Sequence, residues 1–160
     1  RLVTKNCLFS PGLYKGVVWN NFPKLFYIGM QDQWYTFTMF DAEAWFIRDI
    51  ILKKLSLPNK DLRLREMKKW NKRELSLKNE YEMIDFQADY IKDLLENTDY
   101  PEFNIELTQN EFKTWKKAKQ KSILRYRDCL HVSPVTGKLS PKYKTSWWNS
   151  KDDSIKDFLQ

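Results

Sequence analysis

Glycine is scarce in this chain: Gly12, Gly16, Gly29 and Gly137 are the only four among 160 residues. Neither a GxGxxG turn nor a GxxxxGK[ST] loop can be written from them, so the sequence holds no glycine-built phosphate cradle. Histidine is scarcer still. His131 stands alone, without a His–carboxylate pair at helical spacing for a metal or a GxSxG elbow for a hydrolytic triad. A lone loop histidine reads as a surface residue. Cys7 and Cys129 lie far apart with no CxxC pattern, which argues against a disulfide framework and for a reducing compartment. No apolar run approaches the roughly 20 residues that span a bilayer. The start shows no leader pattern, and the chain opens at Arg1. The expectation is a soluble, cytoplasmic piece of something longer, with no membrane partner.

What is present is enough for one domain with a real core: 42% of residues are apolar and 16% aromatic. The charge balance is 28 basic against 21 acidic residues, or +7. A basic surface can attract nucleic acid, anionic membrane or a phosphorylated cofactor. Lys113, Lys116, Lys117, Lys119 and Lys121, interleaved with Trp115 and Tyr126, are suitable ingredients for a single-stranded nucleic acid. The plainer reading puts those lysines on the exposed face of a helix whose Trp115 belongs to the core.

The expected organisation is mostly helical with a few short N-terminal strands. Ser10-Pro11-Gly12 and Asn20-Asn21-Phe22-Pro23 are turn chemistry, Gly16-Val17-Val18-Trp19 is a short β run, and Leu25-Phe26-Tyr27-Ile28 reads as a strand covered on both faces. A helix is expected over about 38–54, with Phe40, Ala44, Ile47 and Ile51 as its apolar stripe and Arg48 and Asp49 off it. Asn59 is placed to cap a helix to about Arg73 carrying Leu62, Met67 and Trp70. Another helix is expected over about 79–97, with Ile84, Ala88, Ile91 and Leu95 on one face, stopped at Thr98-Asp99-Tyr100-Pro101. Thr108 and Glu111 form a capping-box pattern that predicts a helix starting there, carrying Phe112, Trp115 and Leu124 to about Arg127. The tail from His131, with Pro134, Gly137, Pro141 and Trp147-Trp148, reads as an irregular segment wrapping a neighbour.

The segment Gly29-Met30-Gln31-Asp32-Gln33-Trp34-Tyr35-Thr36-Phe37 carries the most chemistry. A glycine ends an apolar run, polar amides follow, and a helix opens beneath them. Gln31, Asp32, Gln33 and Thr36 would gather donors and acceptors at a helix N-terminus, whose partial positive charge favours electron-rich ligand atoms. Trp34 and Tyr35 could wall a pocket. Ordinary helix capping with aromatic packing accounts for the same residues.

Leu13-Tyr14-Lys15-Gly16-Val17-Val18-Trp19, the Gly29–Phe37 run, and Met39-Phe40-Asp41-Ala42-Glu43-Ala44-Trp45 with Arg48-Asp49 resemble the C-terminal part of bacterial flavin-containing monooxygenases. The likeness is nearest to the trimethylamine-oxidising members. It continues through Thr98–Pro101, Trp115-Lys116, Tyr126-Arg127-Asp128 and Ser140-Pro141-Lys142. Thr38 and Glu43 depart from it, at positions where the resemblance leads one to expect Asn and Gln. It implies an α/β enzyme with two dinucleotide-binding domains, FAD and NADPH as cofactors, a C4a-hydroperoxyflavin, and N-oxygenation of a small amine. No side chain need be catalytic. Residues 1–55 would end the FAD-binding domain, and 56–160 would form a helical cap with a wrapping tail. By motif position the resemblance assigns Gln33 and Thr36 to the flavin and Arg127 to NADP. Asp32, Trp34 and Trp115 fall to the substrate pocket. It further implies a homodimer that uses O2, with no metal and no nucleic-acid partner. Oxygenation of sulfides is the nearest alternative, and a nucleic-acid-binding module the alternative from another class.

Overall fold

The computed structural model describes residues 7–123, 126, 129–133 and 136–140. Within them, two short strands precede four long helices: β1 Leu13–Tyr14, β2 Val18–Trp19, α1 Thr36–Ile51, α2 Lys60–Leu75, α3 Glu80–Leu95 and α4 Ile105–Lys121. The mostly helical composition with short N-terminal strands is as expected. β1 and β2 pair antiparallel, Leu13 opposite Trp19 and Tyr14 opposite Val18. The link between them puts Lys15 and Gly16 at φ of 51° and 66°.

The expected strand over 25–28 does not form. Its only pairing among the described residues is a single antiparallel bridge from Phe26 to Val18. Ile28 is 51% exposed, so the run is not covered on both faces. The two turns do form: Leu13 N–H donates to the Ser10 carbonyl at 3.2 Å and Phe22 N–H to that of Trp19 at 3.0 Å.

Asparagine starts three of the four helices. Asn59 accepts from Leu62 N, Asn79 from Tyr81 N and Glu82 N, and Asn104 from Leu107 N, each satisfying amides that a helix start leaves bare. The predicted start at Thr108 is therefore corrected to Asn104. Thr108 sits inside α4, its hydroxyl donating back to the Asn104 carbonyl at 2.9 Å, and Glu111 turns toward His131.

The core joins the N-terminal segment to all four helices. Phe9 stacks on Trp70 at 5.8 Å, and Trp70 meets Phe86 edge-on at 5.1 Å. On α3 the expected face holds: Ile84, Ala88 and Ile91 are buried and Leu95 packs at the edge. On α2 Met67 and Trp70 are buried, but Leu62 is 49% exposed. On α1 the stripe is corrected. Met39, Ala42, Glu43, Phe46, Ile47 and Asp49 are buried, whereas Ala44 and Ile51 face solvent. Two carboxylates lie on the inner face, and a pattern counting only apolar residues rotates the helix away from them.

Candidate functional site

The loop before α1 is built from inside. Gly29 N–H donates to Glu43 Oε2 at 2.7 Å, tying the loop to the second turn of α1. The Gly29 backbone has φ of 71°, a left-handed conformation that glycine adopts without strain. Asp32 N–H donates to the Cys7 carbonyl at 2.8 Å. Gln87 of α3 grips the loop twice, accepting from Trp34 N–H at 2.7 Å and donating to the Asp32 carbonyl.

Beneath the loop lies a closed polar cluster. The Tyr90 hydroxyl, fully buried, is 2.8 Å from Gln31 Nε2, 2.9 Å from the Lys15 carbonyl and 3.1 Å from Glu43 Oε1. Gln31 Nε2 also donates to the Gly16 carbonyl at 3.3 Å. A hydroxyl has one proton and two lone pairs. Tyr90 therefore cannot donate to both Lys15 and Glu43. A proton on Glu43 Oε1, donated to Tyr90, completes the set: the hydroxyl accepts from Gln31 and Glu43 and donates to Lys15. Electrostatics agree. Burial pushes the Glu43 carboxyl up to about 7, outweighing the hydrogen bonds from Gly29, Tyr90 and Gln31 that favour its anion. Burial, then the proximity of Glu43, pushes the Tyr90 hydroxyl well above its ordinary range.

The start of α1 differs from the other three. Its cap residue is Tyr35, with no side-chain bond to the first-turn amides, and that turn carries no acidic residue. Tyr35 instead anchors the helix inward, donating to the Ile84 carbonyl at 3.3 Å and packing against the Phe112 ring at 4.6 Å. The bare amides and the positive end of the dipole are left for an outside acceptor.

Asp32, Gln33, Trp34 and Thr36 surround this helix start as expected. Asp32 and Thr36 are exposed, while Gln33 and Trp34 are half-buried. Asp32 Oδ1 accepts from Gln33 N–H at 3.0 Å, and the Trp34 ring lies 5.6 Å from the Lys116 ammonium. Gln31 does not join them, since its side chain is consumed in the cluster below. Trp115 is half-buried rather than in the core. It meets Tyr126 edge-on at 5.1 Å and lines a cavity of about 360 Å³ with Phe112, Glu111, His131 and Thr38 of α1. Neither Asp32 nor Trp34 lines that cavity, so Trp115 meets the helix start through Thr38 and through Phe112, which packs on Tyr35. His131 is not a plain surface residue; its Nδ1 donates to the Glu111 carboxylate at 3.1 Å. Arg127, Leu124, Asp128, Pro134, Pro141, Lys142 and Trp147-Trp148 lie outside the described residues.

The lysines of α4 do not form one exposed stripe. Lys117, Lys119 and Lys121 are exposed, but Lys116 is buried and pairs with Glu80, and Lys113 pairs with Asp85. Among the described residues no group of histidine, cysteine and carboxylate side chains could hold a metal ion, and no helix is long and apolar enough to cross a membrane. Sequence reading missed Tyr90 and Gln87. Their signal was a pair of polar residues at i and i+3 inside the apolar stretch of α3, which a buried network would explain.

Relatives of this chain are monooxygenases. It is 47% identical over 159 residues to the trimethylamine monooxygenase of Pelagibacter ubique strain HTCC1002 and 46% identical over 159 residues to that of Pelagibacter sp. strain HTCC7211. It is 45% identical over 158 residues to the trimethylamine monooxygenase of Methylocella silvestris. Each match covers 99% of this chain but only 35–36% of the relative, so the chain spans about a third of their length. The crystal structure of Tmm from Pelagibacter sp. strain HTCC7211 superimposes with a TM-score of 0.90 at 46% identity, over 99% of this chain and 36% of that one. No family model matches the chain. The resemblance read from the sequence is borne out.

Proposed function

We propose that this chain is the C-terminal part of an FAD- and NADPH-dependent monooxygenase that N-oxygenates small amines such as trimethylamine. The observation that carries the reading is identity of 45–47% to trimethylamine monooxygenases over 99% of the chain. In the intact α/β enzyme, residues 1–55 complete the FAD-binding domain and residues 56–160 cap it. The protein acts in the cytoplasm as a homodimer and takes O2 as co-substrate.

The residues present suit a flavin. The uncapped start of α1 offers N–H groups to a ring edge that gains negative charge on reduction. Gln33, half-buried, and Thr36, exposed, stand beside it with polar side chains. When bound, FAD reduced by NADPH supplies the activated oxygen. This chain contributes binding and enclosure. Gln33 and Thr36 contact the flavin, Arg127 contacts NADP, and Asp32, Trp34 and Trp115 bound the substrate pocket. The exposed apolar side chains Phe22, Ile28 and Phe37, at 55%, 51% and 81% exposure, suit burial against the rest of the protein.

The test uses the full-length protein. It is expected to purify with flavin absorbance and to consume NADPH with trimethylamine, yielding the N-oxide. Turnover of sulfides without amines would replace the substrate, and absence of flavin would overturn the reading. Replacing Gln33 and Thr36 together by Ala is expected to weaken FAD binding at least tenfold, measured by flavin fluorescence. Unchanged affinity would remove both residues from the cofactor site.

A further inference from the structure

We propose that Glu43, in its neutral form, is the positioning residue of the Gly29–Trp34 loop, and that its ionisation opens the loop and weakens flavin binding. The flavin clause rests on the function proposed above; the clamp itself rests on geometry.

Glu43 is completely buried on α1, and its two carboxyl oxygens reach different parts of the fold. Oε2 holds Gly29 N–H at 2.7 Å, while Oε1 faces the Tyr90 hydroxyl on α3 at 3.1 Å. Through Tyr90 it is coupled to Gln31 and to the Lys15 carbonyl. Glu43 thus holds Gly29 directly and Gln31 through Tyr90, while Gln87 holds Asp32 and Trp34 independently. The titratable groups around it are Tyr90 from α3 and Lys15 from the β1–β2 turn. Lys15 commits its ammonium elsewhere, to Glu66 of α2 at 3.1 Å and Asp93 of α3 at 2.6 Å. No cation pairs with Glu43 among the described residues.

The neutral acid lets the Tyr90 hydroxyl keep all three of its partners and the anion does not, while Gln31 Oε1 has no hydrogen-bond partner among the described residues. Once Glu43 loses its proton, Tyr90 must turn its only hydrogen to Oε1, leaving the Lys15 carbonyl without it. The alternative is a buried anion left with Gly29 and Gln31 as donors and no counter-charge. Either outcome is relieved when the loop lifts and water reaches the carboxylate. Between the ordinary value of 4.5 and about 7, each pH unit can raise the opened population up to about tenfold, and the effect levels off above 7. The loop that lifts carries Asp32, Gln33 and Trp34 with it.

The experiment is hydrogen exchange across residues 27–34 of the full-length protein between pH 5 and 8, corrected for intrinsic base catalysis, with FAD affinity measured in parallel. In the wild type, protection of the loop is expected to fall roughly tenfold from pH 5 to 6 and to level off above 7, with FAD affinity declining over the same range. In Glu43→Gln, which cannot ionise but can still accept from Gly29, both are expected to stay level. Parallel pH profiles in the wild type and E43Q would overturn the proposal. If E43Q does not fold, wild-type exchange alone decides: protection independent of pH sinks the clamp. A protein that binds no flavin but loses loop protection as pH rises from 5 to 7 refutes the function proposed above and supports the clamp.

Discussion

Two places along α1 treat a carboxyl group in opposite ways. At the middle of this helix, Glu43 is sealed from water, has no cation among the described residues, and is driven toward its neutral form. Near its end, Asp99 stands 63% exposed by side chain and gathers three donors: Trp45 Nε1 at 2.8 Å, Lys54 Nζ at 3.1 Å, and the Arg48 guanidinium. The Arg48 hydrogen bond, then those of Trp45 and Lys54, hold its carboxyl well below the usual range. Burial without a counter-charge raises an acid, and donors in water lower one. The larger lesson concerns consequence. A buried cluster has no solvent to replace a missing partner, whereas water substitutes readily around Asp99.

That contrast can be broken first at Gly16. Its φ is 66°, and a Cβ there would run into Gln31 Nε2 and the Tyr90 hydroxyl. Gly16→Ala is expected to lower unfolding stability by about 3 kcal/mol, from backbone strain and overpacking of a site that cannot yield without unpairing polar atoms. A loss under 1 kcal/mol by denaturant titration would show the cluster to be soft.

The next effect is in pH. The folded Glu43 carboxyl titrates near 7 against an ordinary 4.5, so between those values the native state holds the extra proton. Stability attributable to this group is therefore full below pH 4.5 and declines as pH rises to 7, by up to about 3 kcal/mol. Glu43→Gln should remove that slope, and melting curves at pH 5 and 8 read it directly. Asp99 has the opposite sign: its contribution is present above its ordinary range and is lost as pH falls into the strongly acidic region.

The smallest effect is expected from Asp99→Asn. Its partners are open to water, so the change in thermal midpoint should lie near experimental scatter and shrink with added salt. A loss as large as that from Gly16→Ala would mean that the two sites are alike after all.

The elements set by local chemistry could be read from the sequence. Asn59 announced α2, Pro101 closed the segment after α3, and the polar run before α1 was placed correctly. The errors share one cause, since each depended on a distant partner. Leu25–Ile28 has strand composition but only Val18 to pair with among the described residues. Thr108 and Glu111 have capping-box spacing, yet Asn104 reaches the amides first and Glu111 is drawn to His131. The inner face of α1 was misjudged because Glu43 and Asp49 are inside, and only Gly29, Tyr90, Arg48 and the chain turn after α1 reveal why. At the site, the outward residues were evident in the sequence. The support beneath them was not, because Tyr90 and Gln87 lie more than fifty residues from the loop they hold.

The Tyr90 hydroxyl makes positions 16, 31, 43 and 90 inherit one another's fate. Gly16 leaves room for Gln31, Gln31 and Glu43 converge on Tyr90, and Tyr90 returns to the turn that contains Gly16. A side chain at 16 is tolerable only with a shorter residue at 31 or 90, and loss of the hydroxyl takes a partner from Gln31, Glu43 and the Lys15 carbonyl together. In a lineage of such sequences these four sites should drift as a group or not at all. A comparison of many relatives can look for that joint pattern of change without purifying any protein.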